Sequence, residues 1–212
     1  MSACPKCGAT PRTPLLCEGC DELLTPGTLA SPFEALGLSP SYVVDRDALR
    51  KRMLQLSRRM HPDFHGGRSA EVRARAERNT AEVNAAHEIL ADDFRRADWL
   101  VESLGGPGED QERQLPRAFL MEVLEWNETV EEARSVANPS ERAASMDALR
   151  KKLLEERLSA MESVAALLEP LPEQGAPALR RVRRRLNVVR YLDRTLGEIA
   201  ELALSRSSAP PH

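Results

Sequence analysis

Apolar residues recur at intervals of three and four along most of this chain, and that spacing predicts helices. A short helix fits Pro32 to Leu36, with Pro at its start and Gly37 at its end. A second fits Asp45 to Met60, where Leu49, Met53, Leu56 and Met60 make one stripe. A third fits Ser69 to Leu90, with Val72, Ala76, Val83, Ala86 and Leu90 on one face, and a fourth fits Asp92 to Leu104. Gly105-Gly106-Pro107-Gly108 breaks the pattern, and a polar run continues to Gln114.

Periodicity resumes at Pro116. One helix is expected from there to about Ala137. A second opens at Asn138-Pro139-Ser140-Glu141, an Asn cap with Pro at the first helical position, and runs to Leu168, before Pro170 and Pro172. A third runs from Ala178 to about Leu204. Three amphipathic helices with short connections predict a bundle. Residues 1–27 show no helical period, and the polar, Pro-rich end from Ser205 to His212 is expected to be disordered. The fold class is therefore all-α: a helical hairpin block over 31–106, a three-helix bundle over 115–205, a small cysteine-bearing head over 1–27 and a tail over 206–212.

The helix that begins the bundle has two apolar faces. At about 100° per residue, Phe119, Val123, Trp126, Val130, Ala133 and Ala137 fall on one arc, the core stripe. Leu120, Met121, Leu124, Glu125, Glu128 and Glu132 fall on the opposite side. Such a face either packs inside the bundle or stands exposed as a Leu/Met patch rimmed by acids, which marks a partner site.

Composition narrows the classes. Across 212 residues, 42% are hydrophobic, 30% charged and 4% aromatic, which suits a helical, water-soluble chain. The net charge of -3 gives no basic field for nucleic acid. No apolar run approaches the roughly 20 residues that cross a bilayer, and no signal-peptide core precedes the cysteines, so a cytoplasmic location is expected.

All four cysteines lie in the head, as Cys4-Pro-Lys-Cys7 and Cys17-Glu-Gly-Cys20. Each C-x-x-C pair turns two thiolates toward one point, and two pairs complete a tetrahedral zinc site. A disulfide or redox pair is the alternative, and a cytosolic setting disfavours it. Four protein ligands leave no open position, so the expected role of Zn2+ is structural.

Between the second and third helices lies Met60-His61-Pro62-Asp63-Phe64-His65-Gly66-Gly67. Proline disfavours helical geometry at His61, so a polar triplet caps a helix–loop–helix hairpin. Arg50, Lys51 and Arg58 lie on the arc away from the Leu/Met stripe, and Arg52 and Arg59 on the other flank. No nucleophile or second acid at a telling spacing accompanies His61, so no enzymatic activity is expected. His87 is read as flanking the core rather than as a ligand.

This block resembles a J-domain. Phe33-Glu-Ala-Leu36-Gly37-Leu38 resembles its opening, His61-Pro62-Asp63 its signature, and Asn84-Ala-Ala-His87-Glu-Ile-Leu90 the end of its third helix. The resemblance implies that the signature and the basic second helix dock on a DnaK/HscA-type chaperone and stimulate its ATPase. His87 stands where the family usually has Tyr, and Phe64-His65 replaces a basic residue followed by Phe.

Over about residues 31–204 the chain further resembles the HscB family of iron–sulfur co-chaperones. The residues that carry this are Arg95-Arg-Ala-Asp-Trp-Leu100, Phe119-Leu-Met-Glu122 with Glu125 and Glu128, and Arg190-Tyr191-Leu-Asp193. The resemblance implies that Leu120, Met121, Leu124, Glu125, Glu128, Glu132 and Tyr191 bind an IscU-type scaffold protein. The head resembles the tetracysteine N-terminus of the family's longer members, with a different spacing between the two hooks. Two rival readings exist. A general J-protein expects a Gly/Phe-rich spacer and β-rich client domains, and the chain has neither. A zinc-headed nucleic-acid regulator expects basic residues around the cysteines, yet the head carries Lys6 and Arg12 against Glu18, Asp21 and Glu22.

Overall fold

The computed structural model describes residues 3–27, 30–65, 67–136 and 138–204, so the expected disordered tail lies outside the described residues. Among these it contains seven α-helices and no strand: α1 Pro32–Leu36, α2 Arg46–Met60, α3 Ala70–Ala91, α4 Asp93–Ser103, α5 Arg117–Ser135, α6 Pro139–Leu168 and α7 Pro177–Leu204. The all-α expectation holds, and each predicted helix is present within two residues of its expected bounds. The chain divides into two compact units, 1–100 and 101–212, with the division inside α4.

In the first unit, local chemistry sets the helix starts. Ser31 and Glu34 close a capping box on α1, and Asp45 and Ser69 cap α2 and α3 with their side chains. Leu49, Leu56 and Met60 of α2 are buried against Ala76, Val83 and Leu90 of α3, and Phe33 of α1 meets Trp99 of α4 at 5.5 Å between ring centres. Arg96 of α4 is buried too. Its guanidinium donates to the carbonyls of Tyr42 and Leu90 and to the Asp93 carboxylate, and lies 5.1 Å from the Tyr42 ring centre.

The cysteine head is part of this unit's core. Leu15, Leu16 and Leu23 are buried. Thr13 Oγ1 donates to Ala35 O at 2.7 Å, and Arg75 Nη1 to Leu23 O at 3.2 Å. Gly37 ends α1 at φ +66°, and a Cβ there would stand 2.8 Å from Arg12 O. Glycine thus serves both the left-handed turn and the close approach of the head.

In the second unit, α6 and α7 form the main pair, with Leu153, Val164, Leu168, Leu179, Val182, Leu186 and Val189 buried between them. α5 packs on α6. The polar run before α5 is fastened to α7. Buried Arg183 donates to Pro107 O at 2.8 Å, Asn187 Nδ2 to Glu112 O at 2.7 Å, and Arg184 approaches the Glu112 carboxylate at 3.3 Å. No helix among the described residues is long and apolar enough to cross a membrane.

Candidate functional sites

The triplet His61-Pro62-Asp63 stands at the end of α2, and Pro62–His65 form a 3-10 turn. His61 is extended at ψ 133°, as the following proline requires. The Asp63 amide donates to His61 Nδ1 at 3.3 Å, which leaves the neutral ring's hydrogen on Nε2. His61 and Asp63 are exposed. The next two residues part company: Phe64 is 75% exposed, whereas His65 is buried with its Nε2 3.3 Å from Arg59 O.

The basic residues of α2 divide in the same way. Arg50, Lys51 and Arg58 are exposed. Arg52 and Arg59 are engaged by the head. Arg52 forms a close ion pair with Glu18 and donates from Nε to Leu36 O at 2.8 Å. Arg59 donates from Nε to Asp21 Oδ1 and from Nη2 to Glu18 O, both at 2.6 Å. Periodicity separates these two from the outward arc; it carries no sign of their partners, which lie in a segment without a period.

Cys4, Cys7, Cys17 and Cys20 converge, their four Sγ atoms within 4.8 Å of one another. Cys4 and Cys20 are 3.7 Å apart and Cys7 and Cys17 3.6 Å. Thiolates at about 2.3 Å around one tetrahedral ion stand about 3.8 Å apart, so the donor set fits a divalent metal. The thiol acidities agree. Burial pushes the Cys4 thiol up, but the Cys7 and Lys6 amides and the neighbouring thiols outweigh it and bring it down to about 7. Burial and the crowding thiols push Cys20 up to about 12, against the Glu22 amide. Thiols this close resist ionising together, and a cation among them removes that resistance.

On α5 the two faces separate as the spacing indicates. Phe119, Trp126 and Ala133 are buried, and Val123 and Val130 half-buried; Ala137 lies outside the described residues. Opposite them, Leu120 is 45% exposed, Met121 64% and Leu124 56%, and Glu125, Glu128 and Glu132 are exposed as well. Tyr191 of α7 is half-buried and meets Phe119 edge to face at 5.6 Å, so α7 supplies an aromatic beside the start of α5. Leu154 and Leu158 of α6 are also exposed. Their signal was legible: an apolar pair four residues apart, off the stripe of Leu149, Leu153, Ala160 and Val164.

Comparison with known proteins follows the same lines. Residues 115–200 match the family model described as the HSCB C-terminal oligomerisation domain. A co-chaperone protein HscB homolog of Shewanella baltica is 32% identical over 149 residues, covering 69% of this chain and 82% of the relative. Its counterpart in Vibrio vulnificus is 32% identical over 132 residues, covering 61% of this chain and 77% of the relative. Among solved structures, human co-chaperone protein HscB superposes with a TM-score of 0.75 at 22% identity, covering 96% of this chain and 99% of that one. Chaperone HscB from Vibrio cholerae gives 0.67 at 21% identity, covering 83% and 99%. At those identities the two structures establish the fold.

Proposed function

Because the chain belongs to the HscB family of co-chaperones, we propose that it is an adaptor in iron–sulfur cluster biogenesis. In this reading the first unit docks on a DnaK/HscA-type chaperone through His61, Pro62 and Asp63, with Arg50, Lys51 and Arg58 steering the approach to an acidic surface. The second unit holds an IscU-type scaffold protein on Leu120, Met121 and Leu124, with Glu125, Glu128 and Glu132 setting register and Tyr191 completing the face. The observation that carries the reading is that each compact unit exposes one of these two surfaces, and the two differ in chemistry: one polar and basic, the other apolar and acidic-rimmed.

Two modest affinities on one chain raise the effective concentration of scaffold at the chaperone. ATP is hydrolysed by the chaperone, and the adaptor contributes binding and orientation. Zn2+ is the ion assigned to Cys4, Cys7, Cys17 and Cys20. When bound it supplies a closed tetrahedral cross-link between the two hooks, a structural role.

The test uses His61→Gln in the full chain. Steady-state ATPase of a DnaK-type chaperone loses its stimulation, while calorimetric affinity for the scaffold protein stays unchanged. Retained stimulation by this variant overturns the assignment of the first unit.

A further inference from the structure

The second cysteine hook is a closed turn. Cys17 N donates to Glu22 O and Asp21 N to Cys17 O, both at 2.9 Å. Asp21 sits at φ +56°, in the left-handed region, so the turn sets the direction in which its side chain leaves the backbone. Glu18 and Asp21, on either side of Cys20, present a carbonyl and a carboxylate to one guanidinium, that of Arg59. Two bonds at 2.6 Å from one planar fork define both position and orientation.

Arg59 is also the hinge post of the tip. It lies in the last turn of α2, where carbonyls lose their helical partners. The residue four positions on, Asp63, turns its amide to His61 Nδ1 instead of to Arg59 O. The carbonyl of Arg59 is taken by buried His65, 3.3 Å away. His61, Pro62 and Asp63 therefore lie in a short loop pinned at both ends to one residue. The guanidinium of that residue rests on the metal-binding turn, and its carbonyl closes the loop.

We propose that Arg59 is a positioning residue that fastens the His61-Pro62-Asp63 loop to the second cysteine hook, so that the order of the loop depends on metal in the tetracysteine site. Losing the ion frees the turn, Glu18 O and Asp21 leave Arg59, and the loop gains freedom. The consequence for chaperone docking rests on the function proposed above; the coupling between hook and loop does not.

The experiment uses the full zinc-loaded chain and Arg59→Met, which keeps the aliphatic stem and removes the fork. Amide exchange over residues 60–65 speeds up by about tenfold, since two charge-assisted bonds are lost. Zinc passes to a colorimetric chelator at least about threefold faster, because coupling between two sites acts in both directions. Stripping zinc from the unsubstituted chain speeds the same amides, and the increment is smaller in Arg59→Met, as coupled elements require. Arg58→Met, one position away, alters neither readout. Arg59→Lys keeps the charge without the fork, so it loosens the loop also and serves if the Met variant folds poorly.

Unchanged exchange over 60–65 in both Arg59 variants overturns the proposal, as does unchanged zinc release or a loop indifferent to zinc removal. These readouts contain no chaperone. A failure of His61→Gln to abolish ATPase stimulation therefore counts against the functional reading alone.

Discussion

The side-chain amide of Asn79 donates to the carbonyl of Leu15 at 2.7 Å, joining α3 to the head across 64 positions of sequence. The same nitrogen reaches Leu24 O at 2.9 Å, and Asn79 is buried. One amide thus ties α3 to two backbone carbonyls of a segment whose own pairing is limited to isolated bridges.

Leu15 O also accepts from the Leu24 amide at 3.0 Å, so Asn79→Ala removes one of its two donors and takes from Leu24 O the bond that the side chain supplies. An acceptor left without its donor costs about 1–3 kcal/mol, and the variant is expected to lose stability within that range. Urea unfolding of the zinc-loaded chain measures it. A loss under about 0.5 kcal/mol, the usual size for a surface change, would show that water replaces the amide.

Gly106 offers a second test, in the other unit. A Cβ at this position would meet Val101 Cγ1 at 2.7 Å, and both Leu179 Cβ and Val101 O at 2.8 Å. These atoms belong to a packed seam and a backbone, and none is the far end of a flexible chain. Gly106→Ala is expected to destabilise by about 1–3 kcal/mol, the range for overpacking. Gly108→Ala, whose nearest neighbour is a Glu102 carboxylate oxygen at 3.6 Å, is expected to be tolerated. Equal thermal midpoints for the two variants would refute the packing argument.

The stripes of α2, α3 and α5 are visible because core packing repeats every three or four residues, and Leu49, Leu56, Met60, Val83, Phe119 and Trp126 are buried as their spacing indicates. Asn79, Arg96 and Arg183 are buried as well, and no periodic reading selects them. Each answers a carbonyl in an irregular segment, so its burial depends on a tertiary neighbour. The tip shows the same limit. Phe64 and His65 adjoin, and hydrophobicity favours burying Phe; the 3-10 turn sends His65 inward and leaves Phe64 in water. The cysteine cluster was fully legible, because metal-ligand spacing is itself a local signal.

Asp93 is one source of acid sensitivity. Its carboxylate lies 2.7 Å from Arg46 Nη2 and 2.5 Å from Arg96 Nη2. Burial pushes this carboxyl up, but the two guanidinium groups outweigh it and hold it below the ordinary range. A depressed carboxyl stabilises the fold fully above its unfolded value of about 3.9, and the contribution is lost as pH falls through the lower folded value. Asp93→Asn is therefore less stable at pH 7, by no more than about 1 kcal/mol because the group is partly exposed. The gap narrows below about pH 4. Urea midpoints at neutral and acidic pH check the sign, and a gap that widens in acid would contradict it.

The α5 face admits a sharper prediction than loss of binding alone. Leu120 and Leu124 are exposed on the side opposite Phe119 and Trp126, so removing their side chains opens no cavity in the bundle. Leu120→Ala with Leu124→Ala is expected to weaken scaffold affinity by about 2 kcal/mol or more, as central apolar anchors do, while thermal stability stays within about 0.5 kcal/mol of the parent. Glu125→Gln with Glu128→Gln acts elsewhere in the binding cycle. Rim carboxylates govern encounter, so this pair lowers the association rate and its dependence on salt, with a smaller change in dissociation. Stopped-flow association at two ionic strengths separates the two effects. A stability loss that matches the affinity loss in the leucine variant would instead return Leu120 and Leu124 to the interior of the bundle.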